Sequence, residues 1–233
     1  MKKEKAVPPS LRLPAALLGS GLALSLLLHV TLAFAGPASS LIPCAARKGA
    51  FFGPNTFILQ CVLEKPTSWL CSYMHEFQGV IGFLASLLIL AATAVSLGRT
   101  ARFLRTFDSK NEIGSQNFCA FSFFVPVVHL FAPYLVIRSF VTVATKFTGD
   151  RMAKAFLADL RKYWLLVVIS TAVWPLLVWA VLVLSSDGFS QSFYRHIGLA
   201  IGFTLFSVTL FLIFKLLSDL AWQTEQSRLR LGL

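Results

Sequence analysis

Residues 118–144 read FCAFSFFVPVVHLFAPYLVIRSFVTVA, and whether this stretch crosses a membrane decides the topology of the whole chain. It is apolar and longer than the roughly 20 residues that a helix needs to cross a hydrocarbon core. Pro126 and Pro133 interrupt it, and Arg138 lies inside it. A proline cannot donate to the helical ladder and its ring clashes with the preceding turn, which leaves pieces on either side too short to span alone. Backbone groups freed at the prolines are tolerable only under cover of other helices or beside water. The stretch therefore predicts a re-entrant or interfacial helical hairpin, with a kinked helix that simply crosses as the alternative.

Around it lie four uninterrupted apolar stretches, residues 13–35, 77–97, 163–184 and 197–217. Each is close to spanning length. Of the 233 residues, 56% are hydrophobic and 13% charged, where a soluble domain carries roughly 25% charged residues. The fold class expected is an all-α integral membrane protein with four transmembrane helices plus the Pro-broken hairpin. Its layout is a tail and first transmembrane helix over residues 1–35, an extracytoplasmic loop over 36–76, a membrane domain over 77–217 and a cytoplasmic tail over 218–233. Lys2, Lys3 and Lys5 before the first stretch, with Ala33-Phe34-Ala35 at its end, also fit a cleaved signal peptide.

Charge chooses between the topologies, because cytoplasmic loops retain Lys and Arg. With the N-terminus inside and residues 118–144 not crossing, every Lys and Arg lies inside except Arg47, Lys48, Lys65 and Arg195. If the segment crosses, Arg138, Lys146, Arg151, Lys154, Arg161, Lys162, Lys215, Arg228 and Arg230 move outside and Arg195 moves inside, and the outer side becomes the more basic. The first arrangement is the one expected, with both termini cytoplasmic. The net charge of +11 belongs to loops beside apolar spans, which points to anionic lipid rather than nucleic acid.

The outer loop carries Cys44, Cys61 and Cys71, of which two could bridge in an oxidising compartment; the pairing is open. Cys119 reads as a small apolar filler. From residue 151 to 164, Met152, Phe156, Leu160 and Tyr163 recur at helical spacing, with Arg151, Lys154, Asp159, Arg161 and Lys162 between them. This predicts an amphipathic helix on the inner leaflet, or an extension of the third span. In either case Arg151, Lys154, Arg161 and Lys162 are the candidate contacts for lipid head groups. Small residues four apart, Ala15, Gly19 and Ala23 and again Gly198 and Gly202, let backbones approach within the chain or, alternatively, across a homo-oligomer. Trp69, Tyr73, Tyr163, Trp164, Tyr194 and Trp222 fall near the span ends, where an aromatic belt belongs.

Acidic residues stay at or beyond the span ends, which argues against a proton relay through the bilayer. Asp219, four residues after Lys215, is expected to pair with it. No P-loop, His-Glu-x-x-His, Gly-x-Ser-x-Gly or Cys-x-x-Cys pattern occurs, so no catalytic residue and no cofactor is assigned. His29, His75 and His196 are weak candidates for a metal or haem at the outer surface, since two of them can instead reach water. His129, between the prolines, is expected to donate to a freed carbonyl.

The wording of residues 123–138, with Pro126, Pro133, Tyr134 and Arg138 at matching positions, resembles the central motif of the bacterial membrane family called domain of unknown function 4328. That family is similar in an aromatic-aromatic-x-Pro start, a Pro-Tyr pair seven residues on, a preceding basic stretch and two following helices. The resemblance covers about residues 77–217, with Arg99 to Phe107 in the place of the basic stretch. The family commonly has Asn where His129 stands, and often a basic residue at Ala132. It implies this architecture in a bacterial cytoplasmic (inner) membrane and carries no activity with it. The candidate membrane motif is thus Pro126, His129, Pro133, Tyr134 and Arg138. The function expected is a non-enzymatic interaction or scaffold protein with a basic cytoplasmic face, in contact with anionic lipid and with a second copy or another membrane protein. A small transporter or channel component built on the Pro-broken segment is the alternative, and a haem- or metal-binding membrane protein the third reading.

Overall fold

The computed structural model describes residues 8–38, 66–108, 113–122, 131–184 and 188–231. Among them every regular element is helical: α1 (Arg12–Ala38), α2 (Pro66–Arg105), α3 (Gln116–Phe121), α4 (Ala132–Thr148), α5 (Asp150–Val168), a π-helical segment (Ile169–Val173), α6 (Trp174–Leu184) and α7 (Gly188–Arg230). Four lengths of helix are long and apolar enough to cross a membrane: Arg12–Ala33, Gly79–Arg105, Asp150–Leu184 and Phe193–Arg230. They contain the four expected stretches almost entirely and run well beyond the last three. α4, 17 residues long and carrying Arg138 and Lys146, is not among them.

Extra length accumulates at the basic ends. The helix containing the second span continues through Arg99, Arg102 and Arg105, and the expected tail from residue 218 is helical to Arg230. Helical backbone also passes Tyr163 without a break. Residues 151–164 therefore extend the third span, and no turn separates an inner-leaflet helix from it. The single irregularity in that helix lies deeper, in the π segment.

The chain divides into two compact units. The first comprises residues 1–19, 88–168 and 207–233, and the second residues 20–87 and 169–206. Each of these four lengths of helix has residues in both units, whereas α3 and α4 belong wholly to the first. Among the described Lys and Arg residues, Arg195 alone belongs to the second unit.

In the first unit, α4 and α5 form a helical hairpin turning on one residue. Gly149 has φ +82° and ψ 160°, a region that a Cβ essentially forbids. Its N–H donates to Thr145 O at 3.1 Å, and its carbonyl accepts from Ala153 N at 3.3 Å. Pro133 stands at the second helical position of α4, where no backbone donor is needed, so it starts this helix rather than breaking it. α4 buries Pro133, Val136, Ile137, Phe140, Val141, Val143 and Ala144, leaving Leu135, Arg138, Thr142 and Lys146 along its exposed side.

The buried seam of α5 is Ala153, Phe156, Leu160, Trp164 and Val167. It differs from the expected stripe at both ends: Met152 is 39% exposed and Tyr163 is half-buried. A helix with apolar neighbours on two sides carries more than one apolar stripe, and spacing alone does not say which one meets protein. Trp164 lies 5.9 Å from Tyr134 of α4, ring centre to ring centre. Phe107, just past α2, meets Phe103 and Phe147 edge-on and carries Arg228 of α7 over its face at 5.4 Å. Arg228 is also paired with Glu225 through two contacts, 2.8 and 3.1 Å.

In the second unit, Leu28 and Leu32 pack with Ile81. Gly198 and Gly202 of α7 seat against Val178 and Trp174 of α6, and Trp174 Nε1 donates to Gly198 O at 2.7 Å. These glycines therefore serve contact within the chain. α6 nevertheless buries none of its own residues, and Leu176, Trp179, Val183 and Leu184 are more than three-fifths exposed. Several threonine hydroxyls bond back to their own helices: Thr93 donates to Ile89 O, Thr100 to Ser96 O, Thr204 to Ala200 O and Thr224 to Leu220 O. Ser25 Oγ and Ser207 Oγ are buried without a hydrogen-bond partner among the described residues.

Candidate functional site: a cationic helical hairpin and its adjoining cleft

The hairpin collects the cations singled out in the sequence. Arg138 on α4 and Arg151, Lys154, Arg161 and Lys162 on α5 are all exposed. Lys162 reaches Asp159 at 3.3 Å, an open i,i+3 pair on the surface. Among the described residues, Arg138, Arg151, Lys154 and Arg161 form no ion pair or hydrogen bond through their side chains. Exposed guanidinium and ammonium groups grouped in this way present a positive field to whatever lies outside.

The membrane motif is only partly visible. Pro126 and His129 lie outside the described residues, while Pro133, Tyr134 and Arg138 share α4. There, Pro133 is buried at its start, Tyr134 is half-buried against Trp164 and Arg138 points outward. The role expected of His129 falls outside the described residues as well.

Of the three candidate histidines, two meet. His29 Nδ1 and His196 Nδ1 are 3.4 Å apart, with rings stacked at 5.7 Å and Phe203 at 5.7 Å from His29. One Nδ1 donates and the other accepts. His75 lies on α2 two turns before Gly82, about 10 Å of helical rise from the point where a Cβ built on Gly82 would stand 3.8 Å from Leu28 Cδ2; its side chain lies outside the described residues. Among the described residues no group of three His, Cys, Asp or Glu side chains could hold a metal ion.

Cys119 is buried, with 1% of its surface exposed, and its thiol contacts Gly114 O at 3.8 Å. Burial pushes this thiol up from its ordinary range, against the weaker pull of the Arg105 guanidinium. Cys44 and Cys61 lie outside the described residues, as does the Cys71 side chain. Of the belt aromatics, Tyr194 and Trp222 are exposed, whereas Trp164 is buried at 8%.

Sequence reading missed a cleft beside the hairpin. It lies between α5 and α7 in the first unit, with a volume of about 350 Å³. Met152, Phe156, Asp159 and Tyr163 line one side, and Leu212, Lys215, Asp219 and Gln223 the other. Lys215 and Asp219, expected to pair, form no ion pair. Basic-before-acidic is the weaker order for an i,i+4 pair on a helix, and both groups face the cleft. Gln223, which lines the cleft, has its Oε1 buried without a donor among the described residues. The available signal was the shared spacing of Lys215, Asp219 and Gln223, four apart on one face.

No protein-family model matches this chain, and neither any curated protein nor any solved structure does.

Proposed function

We propose that this is a multi-pass membrane protein of non-enzymatic, scaffold type, whose cationic hairpin holds anionic lipid head groups at the cytoplasmic face of a bacterial inner membrane. The observation that carries this reading is the set of exposed cations Arg138, Arg151, Lys154 and Arg161 on α4 and α5, without a partner among the described residues. Each basic group near an anionic surface contributes about 1 kcal/mol of attraction. Insertion is supported by the four long apolar helices and by α6, whose wholly apolar surface buries nothing. The resemblance of residues 123–138 to a bacterial membrane family agrees with the location. The positive-inside count over the whole sequence favours this arrangement, and α4, which carries Arg138 and Lys146, is not among the helices long and apolar enough to cross.

The test is lipid selectivity. In vesicles of mixed phosphatidylglycerol and phosphatidylcholine, spin-labelled phosphatidylglycerol should be enriched in the motionally restricted shell around the purified protein. Raising the salt should weaken that enrichment. The triple variant Arg151→Gln, Lys154→Gln, Arg161→Gln should lower it several-fold. Equal selectivity in wild type and variant would refute the proposal.

A further inference from the structure

We infer that the cleft between α5 and α7 binds the zwitterionic head group of a phospholipid bearing a primary ammonium, with its phosphate at Lys215 and its ammonium at Asp219 and Gln223. The inference rests on the membrane placement proposed above but not on the cationic hairpin's selectivity.

Position comes first. The third and fourth apolar stretches meet the inner boundary near Tyr163 and Leu217, and the cleft straddles that boundary, from Tyr163 and Leu212 on the hydrocarbon side to Met152 and Gln223 beyond it. A head group occupies this depth, with its acyl chains directed toward the span. Exposed apolar side chains continue that way in the same unit, at Leu165 and Leu166 of α5 and at Val208 and Phe211 of α7.

Charge comes second. Asp159 is engaged by Lys162, while among the described residues Lys215 and Asp219, which line the cleft, form no ion pair. A ligand with one negative and one positive group matches both. A purely anionic head group would satisfy Lys215 and set its charge against Asp219.

Hydrogen bonding comes third. Gln223 Oε1 lacks a donor among the described residues although it is buried, and leaving such an acceptor unpaired is costly. Its terminal torsion is soft, so a modest rotation turns the oxygen toward a donor in the cleft. A primary ammonium has three N–H groups, enough for Asp219 and Gln223 together, whereas a choline has none. The volume of about 350 Å³ accommodates a phosphoethanolamine group and the first part of its glycerol.

The experiment is native mass spectrometry of the full-length protein, delipidated in mild detergent and then offered phosphatidylethanolamine, its N-methyl and N,N-dimethyl derivatives, phosphatidylcholine or phosphatidylglycerol. One phosphatidylethanolamine should be retained per chain, and retention should fall with each added methyl, a series that requires no variant. Asp219→Asn and Lys215→Gln should each lower retention on the order of tenfold. The triple variant at Arg151, Lys154 and Arg161 should keep phosphatidylethanolamine and lose only phosphatidylglycerol, which separates failure of this site from failure of the hairpin. Soluble phosphoethanolamine should not bind measurably. Retention of phosphatidylcholine equal to that of phosphatidylethanolamine, indifference to Asp219→Asn, or tight binding of the soluble compound would each overturn the assignment.

Discussion

A methyl group added at Gly202 would stand 2.7 Å from Trp174 Cδ1, and one added at Gly198 would stand 2.7 Å from Val178 Cγ2. Neither neighbour is the loose end of a flexible chain, and Trp174 is further held by its bond to Gly198 O. Gly198→Ala and Gly202→Ala should therefore each destabilise the protein by about 1–3 kcal/mol. Gly19, with nothing within 4 Å of a built Cβ, should accept Ala at no cost or with a small gain in helix propensity. Thermal unfolding in detergent measures all three, and equal midpoints would show that the glycines do not set this packing. The small-residue spacing was legible in the sequence. Which glycines had neighbours was not, because spacing describes one helix and contact requires two. Cys119 makes a second residue-scale prediction. With its thiol raised by burial, a smaller fraction is thiolate at pH 8 than for a free cysteine. In a variant retaining Cys119 alone, its alkylation should be slow and should keep accelerating above pH about 9.5, where a free cysteine of pKa about 8.5 levels off. A rate that plateaus below that pH would contradict the assignment.

At the scale of elements, Gly149 bears the turn between α4 and α5. A Cβ built there meets nothing within 4 Å, so any penalty for Gly149→Ala comes from the backbone conformation alone, φ +82° with ψ 160°. The expected cost is about 1–3 kcal/mol, read as a lower unfolding midpoint with helical content retained. A neutral substitution would mean that the turn relaxes to another conformation. Sequence reading found both helices of this hairpin in part. It took Pro133 as a break with a helical piece following it, and the structure places Pro133 in the first turn of that helix, α4, because a proline is tolerated at a helix's first turn and disruptive later. Gly149 followed by Asp150 carried the stop and start signals, but they sat inside a stretch read for its charges. The amphipathic reading of α5 was right in kind and wrong in register. Met152 and Tyr163, assigned to its apolar face, line the cleft and leave the seam to Ala153 and Trp164.

For the whole molecule, the topological expectation comes from the order of charges along the chain. Four lengths of helix are long and apolar enough to cross a membrane, and the positive-inside count expects each of them to cross once, with α4 not crossing. The arrangement is tested with single-cysteine variants at Ser109, Ser185 and Ser227 in a background lacking Cys44, Cys61, Cys71 and Cys119, treated in intact cells with a membrane-impermeant thiol reagent. Labelling is expected at Ser185 alone, with Ser109 and Ser227 becoming reactive only after permeabilisation. Labelling at Ser227 without Ser185 would mean that residues 118–144 cross. Arg151, Lys154 and Arg161 would then face the outer leaflet, and the cleft at Lys215 and Asp219 would lie on that side too. Both lipid proposals depend on the answer differently. Affinity for anionic lipid follows the cations to either leaflet, but its role as a cytoplasmic anchor does not. The cleft's match to a primary ammonium is a property of Lys215, Asp219 and Gln223, and it stands in whichever leaflet supplies the lipid.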